Sequence, residues 1–321
     1  MVSASLRNRL HSLWQSLLGP GINHHIENDS IVSQKFLDDN SITLSPYLFS
    51  CYGTESQNLN RTPPILFQKR GPEIINNYPI NYAAKFPPKD NPLPSVKVGN
   101  IFQNERIWFY RGTAIARYMD RWGMAGFPRV LPSGYPDLGS LCGIAATGDP
   151  HALNVETPGL NNYSFVGPKW QTYLYESNQY QPDGSSIHPH LILLGVQSTN
   201  AHSGTISLGE LTTIVTAMRC RAYQPAVFDV DAVLAGEVEQ PEDGNPAPSN
   251  EDDLAFKDEK RFPVLMVSLI GPQHVRVIYA CMDGLKLCVR MSELTRIEPT
   301  NELLFRNIAS VLLSIPLVES I

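Results

Sequence analysis

Asp283-Gly284 lies between two runs, His274–Met282 and Leu285–Met291, in which large apolar residues recur at every second position. Asp-Gly flanked by alternating apolar residues is the pair that a two-residue type I′ hairpin prefers, because both central positions then take positive φ. In that register Met282 faces Leu285, Ala280 faces Leu287 and Ile278 faces Val289, which makes one apolar face. Tyr279, Cys281, Lys286, Cys288 and Arg290 take the other face. Cys288 then opposes Tyr279, so no disulfide to Cys281 is implied. A strand over Pro263–Ile270 precedes the hairpin through Gly271-Pro272. Leu304, Ile308, Val311 and Leu312 place a closing helix over 301–314. The expected fold is α+β: an antiparallel sheet with packed helices, ending in a β-meander (263–291) closed by that helix, and not a βαβ winding.

Upstream, Trp170–Tyr175 alternates like a half-buried strand and His190–Val196 reads as a fully buried one. Ser207 and Glu210 form a capping-box pattern that opens a helix carrying Leu208, Leu211, Val215, Met218 and Ala222 to Pro225. A second helix spans 105–122, where Trp108, Phe109, Tyr118 and Trp122 mix with Arg106, Arg111, Arg117 and Arg121. Residues 226–234 are a short strand candidate.

The chain divides by composition. Leu6, Leu10, Leu13, Trp14 and Leu17 make residues 1–20 an amphipathic helix with no acidic residue before Glu27. Residues 21–95 form a proline-rich wrapping arm or linker, with eight prolines between 63 and 94 that remove donors and favour extended backbone. Residues 96–321 are the α+β domain. Within it, 236–260 holds nine acidic residues against two lysines, a charge of −7 where the whole chain carries −6. Such a segment buries little and is read as a mobile acidic loop. The remaining body is nearly neutral, so charge alone excludes neither nucleic acid nor an anionic membrane. The four arginines of 105–122 lack a wider basic field, so nucleic acid is not the expected partner. No apolar run approaches a membrane span.

Five cysteines without a CxxC pair, and no hydrophobic leader, indicate a reduced cytoplasmic setting. The acid-free amphipathic N-terminus keeps a mitochondrial presequence as the alternative.

No Walker loop, dinucleotide glycine fingerprint, HExxH or GxSxG elbow occurs, nor cysteine spacing for zinc. Three constellations remain. Glu210, Asp229 and Asp231 could hold magnesium for phosphodiester cleavage, with Lys286 completing a nuclease-like site. Glu210 also has a sufficient duty as a capping residue. His188, His190 and His202 are candidate metal ligands, since imidazole suits zinc or copper. Cys142, at a glycine turn with His151 nine residues on, is a candidate nucleophile if a base lies close.

The stretch Phe262-Pro-Val-Leu-Met-Val-Ser-Leu-Ile-Gly-Pro-Gln-His-Val-Arg-Val-Ile-Tyr-Ala with Asp283-Gly284, and Gly209-Glu-Leu-Thr-Thr-Ile-Val with Gln224-Pro225, resembles a group of filamentous-fungal proteins with no established activity. The likeness covers roughly residues 190–315. It implies a eukaryotic intracellular protein with a lineage-restricted role and carries over no cofactor or site residue. The expected function is therefore a non-catalytic accessory or protein-binding role, with partners reached through the acidic loop or the proline-rich arm and no cofactor. The alternative is an enzyme without a standard motif, either a metal-dependent nuclease-like phosphodiesterase or an accessory enzyme of specialised metabolism.

Overall fold

The computed structural model describes residues 2–47, 63–71, 73–79, 101–126, 129–147, 157–164, 167–179, 188–226, 251–298 and 301–318. Its helices are α1 (Val2–Leu18), α2 (Gln34–Asp39), α3 (Glu73–Asn77), α4 (Ile101–Met124), α5 (Leu138–Leu141), α6 (Leu208–Ala222) and α7 (Glu302–Leu312). The strands are β1 (Ile42–Pro46), β2 (Phe67–Gln68), β3 (Ile144–Ala146), β4 (Trp170–Ser177), β5 (Leu191–Asn200), β6 (Val264–Gly271), β7 (His274–Asp283), β8 (Lys286–Met291), β9 (Thr295–Arg296) and β10 (Ile315–Pro316).

The α+β class stands, but the sheet is mixed rather than antiparallel. Its order is β1-β8-β7-β6-β5-β4-β3, with β9 on β7, while β2 and β10 form a separate pair. Strands β6, β7 and β8 do run antiparallel to one another. They are not a separate meander, because β6 lies parallel to β5 and β8 lies parallel to β1. The β5-α6-β6 passage is thus a βαβ crossover, against the expectation of an antiparallel sheet. Residues Leu191–Leu194 and Val264–Val267 are apolar at every position, as strands covered on both faces must be.

Both faces are indeed covered. On one side Leu191, Leu193, Met266, Ile278 and Ala280 pack under α6 and α1. On the other Ile192, Leu194, Leu265, Val267 and Tyr279 pack under α4, α5 and α7. Helix α6 is buried from Gly209 to Ala222, since the sheet lies beneath it and α1 above. The leucine stripe of α1 supplies that cover: Leu6, Leu10, Leu13 and Leu17 are all buried. Arg7 of α1 donates to the carbonyl of Ala222 (2.8 Å), the last residue of α6, and to those of Phe256 and Lys257 (2.9 and 3.0 Å). A cation at a helix C-terminus satisfies carbonyls that have no partner within the helix.

The hairpin turn differs from its sequence reading by one position. Its central pair is Gly284-Leu285, and Asp283 pairs with Lys286. Only Gly284 has positive φ (+60°), which is the type II′ requirement rather than that of type I′. The partner strand is displaced by two residues, so Met282 faces Leu287, Ala280 faces Val289 and Ile278 faces Met291. A two-residue slip preserves the side-chain faces. It does change the pairs: Cys288 opposes Cys281, and Tyr279 opposes Arg290. Leu285 leaves the ladder and is half exposed.

The ends of the acidic and proline-rich stretches also pack. Leu254 and Phe256 are buried, and Leu254 bridges to Pro225. Residues 63–66 lie along β7 and β8: the Tyr279 hydroxyl donates to Pro64 O (2.8 Å) and accepts from Leu66 N (3.3 Å), while Arg290 donates to Pro63 O (2.5 Å).

Candidate functional site

A buried polar grouping lies where β5 and the N-terminus of α6 meet β7. Ser207 caps α6: its Oγ accepts from Glu210 N (3.3 Å), and Glu210 Oε2 accepts from Ser207 N (3.0 Å) and Ser207 Oγ (2.9 Å). Arg276 of β7 then grips the same carboxylate from the sheet. Its Nε donates to Oε1 (2.8 Å) and its Nη2 to Oε2. Arg276 Nη1 donates to Thr205 O (2.8 Å), which leads the loop into the helix. Glu210 and Arg276 are both buried. Burial pushes the Glu210 carboxyl up, but the Arg276 charge and hydrogen bonds, with the Ser207 cap, hold it below its ordinary value. At the rim, Asp29 accepts from Asn200 (3.1 Å) and pairs with His202 Nε2 (2.8 Å).

This arrangement fastens rather than reacts. Both carboxylate oxygens of Glu210 are filled by donors, so a divalent cation would first have to displace Arg276. Lys286 is exposed at the far end of the sheet, paired with Asp283. Asp283 lies seven residues along β7 from Arg276, about 24 Å at the usual strand rise. Glu210 and Lys286 are therefore not brought together. Asp229 and Asp231 lie outside the described residues, as do residues 227–234 of the strand expected at 226–234.

The three histidines divide between the two ends of β5. His190 precedes the strand and is buried, its Nε2 at 3.1 Å from Leu317 O. His188 stands beside it with ring centroids 5.8 Å apart, and pairs with Gln179. His202 follows the other end of β5. Burial, then the neighbouring His188, push the His190 imidazole down to about 3. Among the described residues, no group of three or more His, Cys, Asp or Glu is placed to hold a metal ion. Cys142 ends α5, buried, and burial raises its thiol, which disfavours the nucleophilic thiolate. His151 lies outside the described residues. A cleft of about 300 Å³ between α1, the turn 20–25 and α2 is lined by Ser16, Ile22, His25, Phe36 and Asp39, and contains none of the candidates.

A second buried ion pair escaped the sequence reading. Arg221, in the last turn of α6, donates to Glu176 of β4 (2.7 Å) and to Gln224 (2.5 Å), and lies over the Phe256 ring at 5.2 Å. Helix α6 is thus tied to the sheet at both ends by arginine–glutamate pairs of opposite polarity. Basic residues in the last helical turn are an ordinary surface pattern. The one available signal was that, beyond the capping Glu210, α6 carries threonine, glycine and cysteine rather than lysine or glutamate on the side away from its apolar stripe, which an ordinary surface helix does not.

No protein-family model, curated protein or solved structure matches the chain. What fold and site define is a class: a mixed-sheet α+β protein whose central helix is enclosed and clamped by buried ion pairs. No helix among the described residues is long and apolar enough to cross a membrane.

Proposed function

We propose that this chain is a non-catalytic accessory protein that acts by binding a protein partner in the cytoplasm. One observation carries the reading: among the described residues, the carboxylate best placed for chemistry is engaged by the fold, with both oxygens of Glu210 filled by Arg276 and Ser207. Glu176 and Arg221 complete a second clamp, and His190 holds the chain near Leu317. The partner is reached through the acidic stretch 236–260 or the proline-rich arm. A cytoplasmic setting is supported by the stripe of α1, whose leucines are core residues and whose Arg7 caps α6; cleavage of this helix would uncover α6.

The test is affinity purification of the full chain and of a variant lacking residues 236–250, from the source cell. A partner retained by the full chain and lost from the variant supports the reading. Hydrolysis of bis(p-nitrophenyl) phosphate in magnesium or manganese, abolished by Glu210→Gln in a folded protein, would replace it with the phosphodiesterase alternative. That second reading is favoured by position alone: Glu210 and Arg276 lie by the carboxyl ends of the parallel β5 and β6, where α/β sheets commonly place ligands.

A further inference from the structure

We infer that Arg111 and Trp108 of α4 form a binding site for one oxyanion group of a small metabolite, a carboxylate or a phosphate, at the carboxyl ends of β5 and β6. Arg7, Arg129, Arg219, Arg221, Arg276 and Arg290 are buried, and each donates to an acceptor: a carbonyl, a carboxylate or, for Arg219, His11 Nδ1. Arg111 is as deeply buried, only 6% exposed, and no hydrogen bond or ion pair joins it to another described residue. Burial lowers its pKa, with no carboxylate near enough to oppose the shift. One turn before it, Trp108 is 5% exposed, and its Nε1 has no acceptor among the described residues. The fold thus encloses a fixed cation and a donor-only N–H without an acceptor for either. Such groups cost stability unless something fills them.

Their placement follows from how α4 crosses the sheet. At Gly112 the helix presses on β5: a Cβ there would lie 2.6 Å from Val196 Cγ1. One turn earlier the Trp108 indole rests on Gly271, the last residue of β6, where a Cβ would lie 3.0 Å from Trp108 Cδ1, the carbon bonded to Nε1. The N–H is therefore carried to the end of the parallel β5–β6 pair, the position at which open α/β sheets take ligands. Arg111 stands three residues on. Long helical side chains lean back over the preceding turn, so its stem covers the turn of Trp108. Thr199 O and Asn200 Oδ1 border the same point on Gly271 (2.9 and 3.3 Å), so the anion lies on the Arg111 side of the indole. Trp108 belongs to the core under α4, across the sheet from α6 and its Glu210 clamp. A guanidinium fork takes two oxygens of one carboxylate or phosphate, and the indole N–H adds a further donor.

Isothermal titration calorimetry of the full chain with inorganic phosphate and with malonate, at constant ionic strength, tests this. The expected result is one saturable site for at least one of them, and the tighter of the two identifies the group as phosphate or carboxylate. Arg111→Met should weaken binding roughly tenfold or more, as loss of a charged hydrogen-bond donor does. Trp108→Phe, which keeps a ring on Gly271 and removes the N–H, should weaken it severalfold. Without anion, Arg111→Met should melt at or above the temperature of the parent, since it removes an unpaired buried charge. Saturating anion should then raise the melting temperature of the parent but not of this variant. No binding of either anion to the parent, or unchanged affinity in either folded variant, would overturn the proposal. An Arg111→Met chain that melts earlier than the parent, or does not fold, would overturn it too, because the arginine would then be structural. Arg111→Met decides the matter should Trp108→Phe fail to fold.

Discussion

Arg276 of β7 closes a two-point grip on Glu210, the residue that also caps the helix lying over that sheet. A single carboxylate thus joins a helix terminus to a strand. Replacing Arg276 with Met leaves a buried carboxylate without its counter-charge, and should cost about 3–5 kcal/mol. The double variant Arg276→Met with Glu210→Met should regain part of this, less the roughly 1 kcal/mol of a lost cap. Urea unfolding measures both; a single variant within 1 kcal/mol of the parent would show that the pair is dispensable.

The same pair shapes acid stability. Glu210 is held below its ordinary 4.5 in the folded state, so its contribution is complete above that value and is lost as pH falls through the lower folded one. With Arg276 replaced, burial dominates and the carboxyl rises. Acid unfolding of Arg276→Met should then begin at higher pH than in the parent, followed by circular dichroism.

His190 works in a different window. It is buried neutral, with its pKa lowered from 6.5 to about 3, while the unfolded chain takes up a proton near 6.5. Below that point protons favour unfolding, so stability falls as pH drops from 6.5 towards 3. The slope approaches about 1.4 kcal/mol per pH unit. His190→Gln keeps a donor for Leu317 O and removes the titration. Its stability between pH 6 and pH 4 should fall less than the parent's by roughly 2 kcal/mol, and parallel profiles would refute the assignment.

Phe256 marks where the acidic stretch joins the body. Its ring is buried under Arg221, and its carbonyl accepts from Arg7. Phe256→Ala should cost about 3–5 kcal/mol, and deleting 251–260 should cost at least as much. Unchanged thermal unfolding in either variant would count against this docking.

Helix α1 is tested at Leu10, which is completely buried. Leu10→Ala should cost about 2–5 kcal/mol, whereas the exposed neighbour Asn8→Ala should change little. Equal effects would mean that α1 does not pack as described.

Local features were legible because local physics dictates them. Ser207 and Glu210 announced the cap from their spacing, and the cap is present. The stripe of α1, the buried runs of β5 and β6 and the closing helix followed from apolar periodicity. The hairpin was legible to within one turn position, since Asp-Gly permits a turn centred on either side of the glycine. The observed turn sits beside Arg261, which pairs with Asp283 at 2.5 Å and lies 22 residues away along the chain.

Pairings between distant segments were not legible. A parallel β5–β6 contact, Arg276 on Glu210 and Arg221 on Glu176 join residues separated by 45 to 73 positions, and no periodicity encodes which strand becomes whose neighbour. By itself the sequence determined the apolar stripe of α1, the strands β5 to β8, the closing helix and the cap at Ser207, because propensity, periodicity and capping act within a few residues. Only the tertiary structure decided that the sheet is mixed, that Glu210 is a clamp apart from Lys286, and that Cys281 meets Cys288, because charge pairing and strand register are settled by what the folded chain brings together.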